Sequence, residues 1–214
     1  MTEVLREAAA PNTIGDRPIR VVGVSGSLHE PSRTTALVRT ILATVGGRIP
    51  ADTELIEVAA LGPGFAGALK REDVAPEVES ALRAIETADL LVVASPVYRA
   101  SFTGLFKHLF DFVGQYALID KPVLLAATAG TARHSLVIEH ALRPLFAYLR
   151  ASILPTGVFA ASDDWGADSV EGPLRGRIER AAGELAREME RREPAVVTDP
   201  FALTSNFEDM LKSL

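Results

Sequence analysis

The chain has 214 residues, enough for one substantial domain, and its 48% hydrophobic and 23% charged content is that of an ordinary globular protein in water. Lys and Arg number 22 against 28 Asp and Glu, a net charge of −6, which argues against a nucleic-acid surface. Cysteine is absent, so disulfides, thiol chemistry, iron–sulfur clusters and Cys-based zinc sites are excluded, and the four histidines at 29, 108, 134 and 140 have no metal-ligand spacing.

Residues 1–18 read as a polar N-terminal arm. The opening has acidic residues and lacks an apolar h-region, so the expectation is that it is not a secretory signal. No apolar run approaches the ~20 residues that span a bilayer. A cytoplasmic protein, bound to neither membrane nor nucleic acid, is the expectation.

Beyond the arm, short apolar runs alternate with amphipathic stretches. Strands are predicted at 20–25, 53–59, 89–94, 121–127 and 152–160, and helices at 34–46, 75–88, 101–115, 134–150 and 172–192. The third and fourth strands are almost wholly apolar, as expected where helices cover both sheet faces. Five strand–helix repeats predict an α/β, doubly wound parallel sheet over residues 19–192, with ligands beyond the carboxyl ends of its strands. The segment 193–214 is a C-terminal tail outside that plan.

The first strand opens into Ser25-Gly26-Ser27-Leu28-His29-Glu30-Pro31-Ser32-Arg33-Thr34-Thr35, directly before a helix. Hydroxyls, backbone N–H groups and one guanidinium at a helix N-terminus suit an anion. Neither the P-loop nor the G-x-G-x-x-G pattern is present, so a terminal phosphate monoester fits better than a triphosphate. The plainer alternative is a Ser/Thr/Pro turn that caps a helix.

Two more loops follow predicted strands. Ser95-Pro96-Val97-Tyr98-Arg99-Ala100-Ser101 is stiffened by Pro96 and offers the flat Tyr98 to an aromatic ring. Thr128-Ala129-Gly130-Thr131-Ala132-Arg133-His134 is built of small residues that let backbone N–H groups approach a ring edge. One loop for a phosphate and two for a planar heterocycle describe a flavin mononucleotide site.

Two helices are strongly patterned. Phe102, Leu105, Phe106, Leu109, Phe110 and Val113 form an apolar face with Ser101 as the expected N-cap, and read as core or subunit interface. Leu174, Ile178, Ala182, Leu185 and Met189 form a second stripe, opposite a charged, solvated face. Pro144 falls inside the predicted helix 134–150. It has no N–H to return to residue 140 and crowds that carbonyl, so a bend or π-bulge is expected at His140.

The segments VSGSLHEPSRTT, ASPVYRASFTGLFKHLFDFV and KPVLLAATAGTARHSLVIEHALRPLF resemble the NAD(P)H-dependent FMN reductases of flavodoxin-like fold. The similarity is greatest to those of two-component alkanesulfonate and methanesulfonate monooxygenase systems, and S-P-V-Y followed by G-x-[FL]-K is its most specific element. The resemblance implies a flavodoxin-like, five-stranded parallel sheet of order 2-1-3-4-5. It implies FMN as flavin, NADPH or NADH as donor, and an FMN-dependent sulfonate-type monooxygenase as partner. Ser25, Ser27, Ser32, Arg33 and Thr34 would form the phosphate loop; Pro96, Val97, Tyr98 and Arg99 would line the isoalloxazine; Thr128, Gly130 and Thr131 would bind its rim. His140 matches a position where relatives of the alkanesulfonate pathway carry an inserted tyrosine in a π-bulge at a subunit interface; the resemblance thus implies a modulating role for His140 and a homo-dimer or tetramer. His29 stands where many members have Arg, and Ala129 replaces a common glycine.

No acid–base dyad or nucleophile elbow is evident. Hydride transfer from NAD(P)H to a flavin needs neither, because the cofactor carries the chemistry. The alternatives are an NAD(P)H:quinone, azo or chromate-type reductase with prosthetic FMN, and a non-enzymatic flavodoxin-like electron carrier.

Overall fold

The computed structural model describes residues 18–166, 170 and 172–192. The expected arm, apart from Pro18, and the expected tail lie outside the described residues.

Strand β1 (Ile19–Ser25) lies between β2 (Ala51–Glu57) and β3 (Leu90–Pro96), and β4 (Pro122–Ala129) continues the sheet. All pairings are parallel. The predicted fifth strand is split: β5 (Ser152–Ile153) pairs with the start of β4 and β6 (Val158–Ala161) with its end. Between them lies Leu154-Pro155-Thr156-Gly157, where Pro155 has no N–H for the ladder. The order is thus 2-1-3-4-5, with the last position shared by two short strands.

Side-chain alternation distributes one sheet into two cores. Val22, Val24, Leu91, Val93, Val123 and Leu125 pack with helices α2 (Val58–Leu61), α3 (Pro76–Thr87), α4 (Gly104–Asp111) and α5 (Arg143–Tyr148). Val21, Leu90, Val92, Ala94, Leu124 and Ala126 pack with α1 (Arg33–Gly46) and α6 (Gly172–Arg191). Both faces are apolar because both are covered, which explains the unbroken hydrophobic runs of β3 and β4. The stripe Leu174, Ile178, Ala182, Leu185 and Met189 is buried as expected.

Three expectations need correction. Val58 and Ala59, read as strand, begin α2 instead. The α4 helix starts at Gly104, and its N-cap is Thr103 rather than Ser101: Thr103 Oγ1 accepts from Phe106 N at 3.3 Å, whereas Ser101 closes a turn with Tyr98. The run 134–150 is not one α-helix. It comprises a 3-10 turn at Ala132–His134, a π-helical turn at Ile138–Leu142 and then α5. The Arg143 N–H reaches Ile138 O, the five-residue return of a π turn, immediately before Pro144. His140 lies in that turn, as the proline predicts.

Candidate functional site

The carboxyl ends of β1, β2, β3, β4 and β6 form one edge, reached by Ser25, Glu57, Pro96, Ala129 and Ala161. The three sequence-predicted loops leave from it, as in other open α/β sheets.

The β1–α1 loop is held from below and from the side. Ser25 is fully buried and its Oγ shares a 2.8 Å hydrogen bond with Thr35 Oγ1, so it supports the loop from the sheet. Thr35 Oγ1 also donates to Glu57 Oε2 at 3.3 Å, and Arg39 pairs with Glu57 at 2.7 Å. Ser32 caps α1 by accepting from Thr35 N at 3.1 Å. Ser27 Oγ bridges the His29 backbone, donating to its carbonyl at 3.1 Å and accepting from its N–H at 3.4 Å. Arg33 begins α1 and is exposed to solvent. First-turn N–H groups of a helix have no carbonyl behind them. The Arg33 guanidinium and the Ser27 and Ser32 hydroxyls lie on the same loop and helix start, residue types that suit a phosphate monoester.

The three loops are bonded to one another. Thr34 Oγ1 shares a 2.7 Å hydrogen bond with Thr128 Oγ1, joining the first loop to the end of β4. Pro96 lies opposite Thr128 in register, and Val97 N donates to Thr128 O at 2.8 Å, joining the second loop to the third. Gly130 and Thr131 are exposed beyond β4, and a Cβ at Gly130 would have open space around it. Tyr98 is 38% exposed. It sits at one end of a tight turn, with Tyr98 N donating to Ser101 O at 2.8 Å and Ser101 N to Tyr98 O at 3.1 Å. The two central residues, Arg99 (φ 49°) and Ala100 (φ 67°), are left-handed, a conformation that is costly for L side chains and concentrates at functional sites.

Several supporting residues were not singled out from sequence. Buried Thr103 donates through Oγ1 to Gly26 O at 2.8 Å, and its N–H bonds Ser95 Oγ at 3.1 Å, so the α4 cap also clamps the first and second loops. Gly26 allows this: a Cβ there would stand 2.7 Å from Phe106 Cδ2. The signal for Thr103 was present, a threonine three residues before Phe106, but Ser101 offered a competing cap. His29 Nε2 and Tyr98 Oη lie 2.6 Å apart, a contact between positions 69 apart that no local pattern encodes.

Sheet order and the loops gathered at its carboxyl edge define a flavodoxin-like α/β protein. The chain belongs to the NADPH-dependent FMN reductase family, whose family model matches residues 19–166. It is an NAD(P)H-dependent FMN reductase by that membership. Over 171 residues, 79% of this chain and 91% of the relative, it is 47% identical to the NADH-dependent FMN reductase SfnF of Pseudomonas fluorescens. Over 172 residues it is 47% identical to a protein of Pseudomonas aeruginosa named FMN reductase (NADPH), covering 79% and 91% of the two chains. The crystal structure of an oxidoreductase from Corynebacterium diphtheriae superposes with a TM-score of 0.73 at 39% identity, covering 82% of this chain and 98% of that one. No helix among the described residues is long and apolar enough to cross a membrane.

Proposed function

We propose that this cytoplasmic chain takes FMN as an exchangeable substrate, reduces it with a nicotinamide nucleotide, and releases it to a partner monooxygenase of the sulfonate type. The observation that carries the reading is the Thr34–Thr128 bond, which ties the anion-suited loop to the loop suited to a ring edge. Ser27, Ser32, Arg33 and the N-terminus of α1 hold the phosphate. Pro96, Val97, Tyr98 and Arg99 stand along the isoalloxazine, and Thr128, Gly130 and Thr131 at its rim; Ser25 and Thr34 brace these contacts from beneath. Bound FMN supplies the hydride-accepting chemistry, while these residues bind and orient it.

Exchange, rather than permanent retention, is supported by how one cradle hydroxyl is already engaged. Ser27 Oγ donates its proton to His29 O, whereas Ser32 Oγ accepts from Thr35 N and keeps its own proton for a phosphate. A phosphate that takes the Ser27 proton displaces the bond to His29 O, which lowers the net gain of binding. The resemblance of ASPVYRASFTGLFKHLFDFV and KPVLLAATAGTARHSLVIEHALRPLF to the reductases of two-component sulfonate systems supports the monooxygenase partner.

A second copy of the chain covers the π-helical turn and α5. Leu136, His140, Pro144 and Tyr148 are exposed at four-residue spacing, with Leu136 68% and Tyr148 82% accessible. Beside them a concavity of about 650 Å³ is lined by Lys107, Phe110, Tyr116, Leu145 and Tyr148 among others. Light scattering on wild type and His140→Ala tests this: a monomeric wild type, or a variant unchanged in size, flavin affinity and turnover, overturns it.

The deciding experiment for activity follows NAD(P)H oxidation by gel-filtered protein while free FMN is titrated. Saturable dependence on added FMN is expected. Flavin retained through gel filtration, with turnover requiring a quinone or dye, would instead establish a prosthetic-group reductase. Flavin binding without NAD(P)H oxidation would establish an electron carrier.

A further inference from the structure

We propose that His29 is a positioning residue for flavin binding that acts through Tyr98, latching the tyrosine ring at the mouth of the site rather than serving the phosphate. The proposal rests on the reading that seats FMN between the residue 27–34 loop and residues 96–99.

Both halves of the latch are anchored on their own backbones. Ser27 Oγ accepts from the His29 N–H, a bond that persists when the serine proton turns to a phosphate, so the imidazole projects from a fixed point of the phosphate loop. The reciprocal Tyr98–Ser101 bonds and the left-handed Arg99 and Ala100 hold the Tyr98 backbone. Between the anchors, Tyr98 Oη meets His29 Nε2 at 2.6 Å, with ring centroids 6.3 Å apart and planes tilted by 36°. Tyr98 has solvent around more than a third of its surface, so its backbone turn does not by itself select one ring orientation. The His29 bond does.

A hydrogen bond at an exposed position is a weak source of stability, but one that orders an aromatic side chain before its ligand arrives lowers the ordering cost of binding. It also spends the imidazole Nε2 on the tyrosine. The latch therefore serves the ring end of the ligand, although its sequence position belongs to the phosphate end. The relation Ser27–His29–Tyr98 makes the cradle and the ring wall one unit.

The test compares FMN with riboflavin, which lacks the phosphate, using full-length wild type, His29→Ala, Tyr98→Phe, the double variant and His29→Gln. Affinity is read by quenching of flavin fluorescence and release by stopped flow. His29→Ala is expected to weaken FMN about three- to tenfold, chiefly through faster release, and riboflavin by the same factor. Tyr98→Phe should match it, the double variant should be no worse than the worse single, and His29→Gln should recover part of the loss. A loss confined to FMN overturns the proposal and makes His29 a phosphate contact. Multiplying losses in the double variant, or unchanged affinity and release in His29→Ala, also overturn it. Arg33→Ala separates the two levels of inference. If it leaves FMN affinity unmoved, the seating of the phosphate fails; if it weakens FMN while His29→Ala does not, only the latch fails.

Discussion

Thr34 Oγ1 and Thr128 Oγ1, 94 positions apart in the chain, share a buried 2.7 Å hydrogen bond at the carboxyl edge of the sheet. Thr34 is 2% and Thr128 7% accessible, so neither hydroxyl has ready recourse to water if its partner is removed. Replacing one alone strands the other, at a cost of about 1–3 kcal/mol. Thr34→Val and Thr128→Val should each lower the unfolding free energy by that amount in urea titrations. The double variant, an apolar pair of similar shape, should recover most of the stability while FMN affinity stays reduced. Additive losses of stability would show that the bond is not what couples them.

Gly26 is required by packing. An alanine Cβ would enter the Phe106 ring at 2.7 Å, and loop and helix are joined there by Thr103 Oγ1 on Gly26 O. Gly26→Ala should cost about 1–3 kcal/mol by displacing the loop from α4, and should weaken FMN binding with it. Denaturation and flavin titration of the same preparation check both effects.

The turn that carries Tyr98 stores strain at a residue unsuited to it. Ala100 has φ 67°, where glycine carries no Cβ penalty. Ala100→Gly should therefore raise thermal stability, by up to about 1 kcal/mol after the entropy of the unfolded glycine is subtracted. Calorimetry decides the sign, and a lowered midpoint would refute the strain.

Lys121 is buried, with its Nζ donating to Ile85 O at 3.0 Å and Glu86 O at 2.7 Å at the C-terminal end of α3. Burial pushes its ammonium down to about 8, against opposition from the Asp89 and Glu86 charges. A lysine whose folded value lies below its unfolded value of 10.5 is less protonated when folded across the interval between them. Stability from this group therefore rises with pH from about 8 to 10.5 and is flat on either side. Urea denaturation at several pH values should show wild type gaining on Lys121→Met in that window, by no more than about 1.4 kcal/mol per pH unit. A difference that does not change with pH would mean that the buried amine does not titrate there.

Local chemistry made much of the architecture readable. The apolar runs of β3 and β4 announce a sheet covered on both faces, and the 3.6-residue stripe of α6 is buried as its spacing requires. Pro144 announces the π turn at His140, because a missing N–H is a property of one residue. The three loops were legible for the same reason: strand, turn and helix cap are short-range patterns. Where two local signals competed, as at Ser101 and Thr103, spacing alone did not choose. Thr103 became the cap because its hydroxyl also finds Gly26 O across the sheet edge.

What the sequence by itself determined is the fold class and the residue types offered at the sheet edge, since periodicity, turn chemistry and capping act within a few residues. Only the tertiary structure decided which hydroxyls meet. Thr34 with Thr128, Thr103 with Gly26 and His29 with Tyr98 join segments far apart in the chain, and such contacts depend on strand order and register rather than on neighbouring residues. The sheet brings its carboxyl ends to one edge, and packing against α4 brings the loops within hydrogen-bond reach.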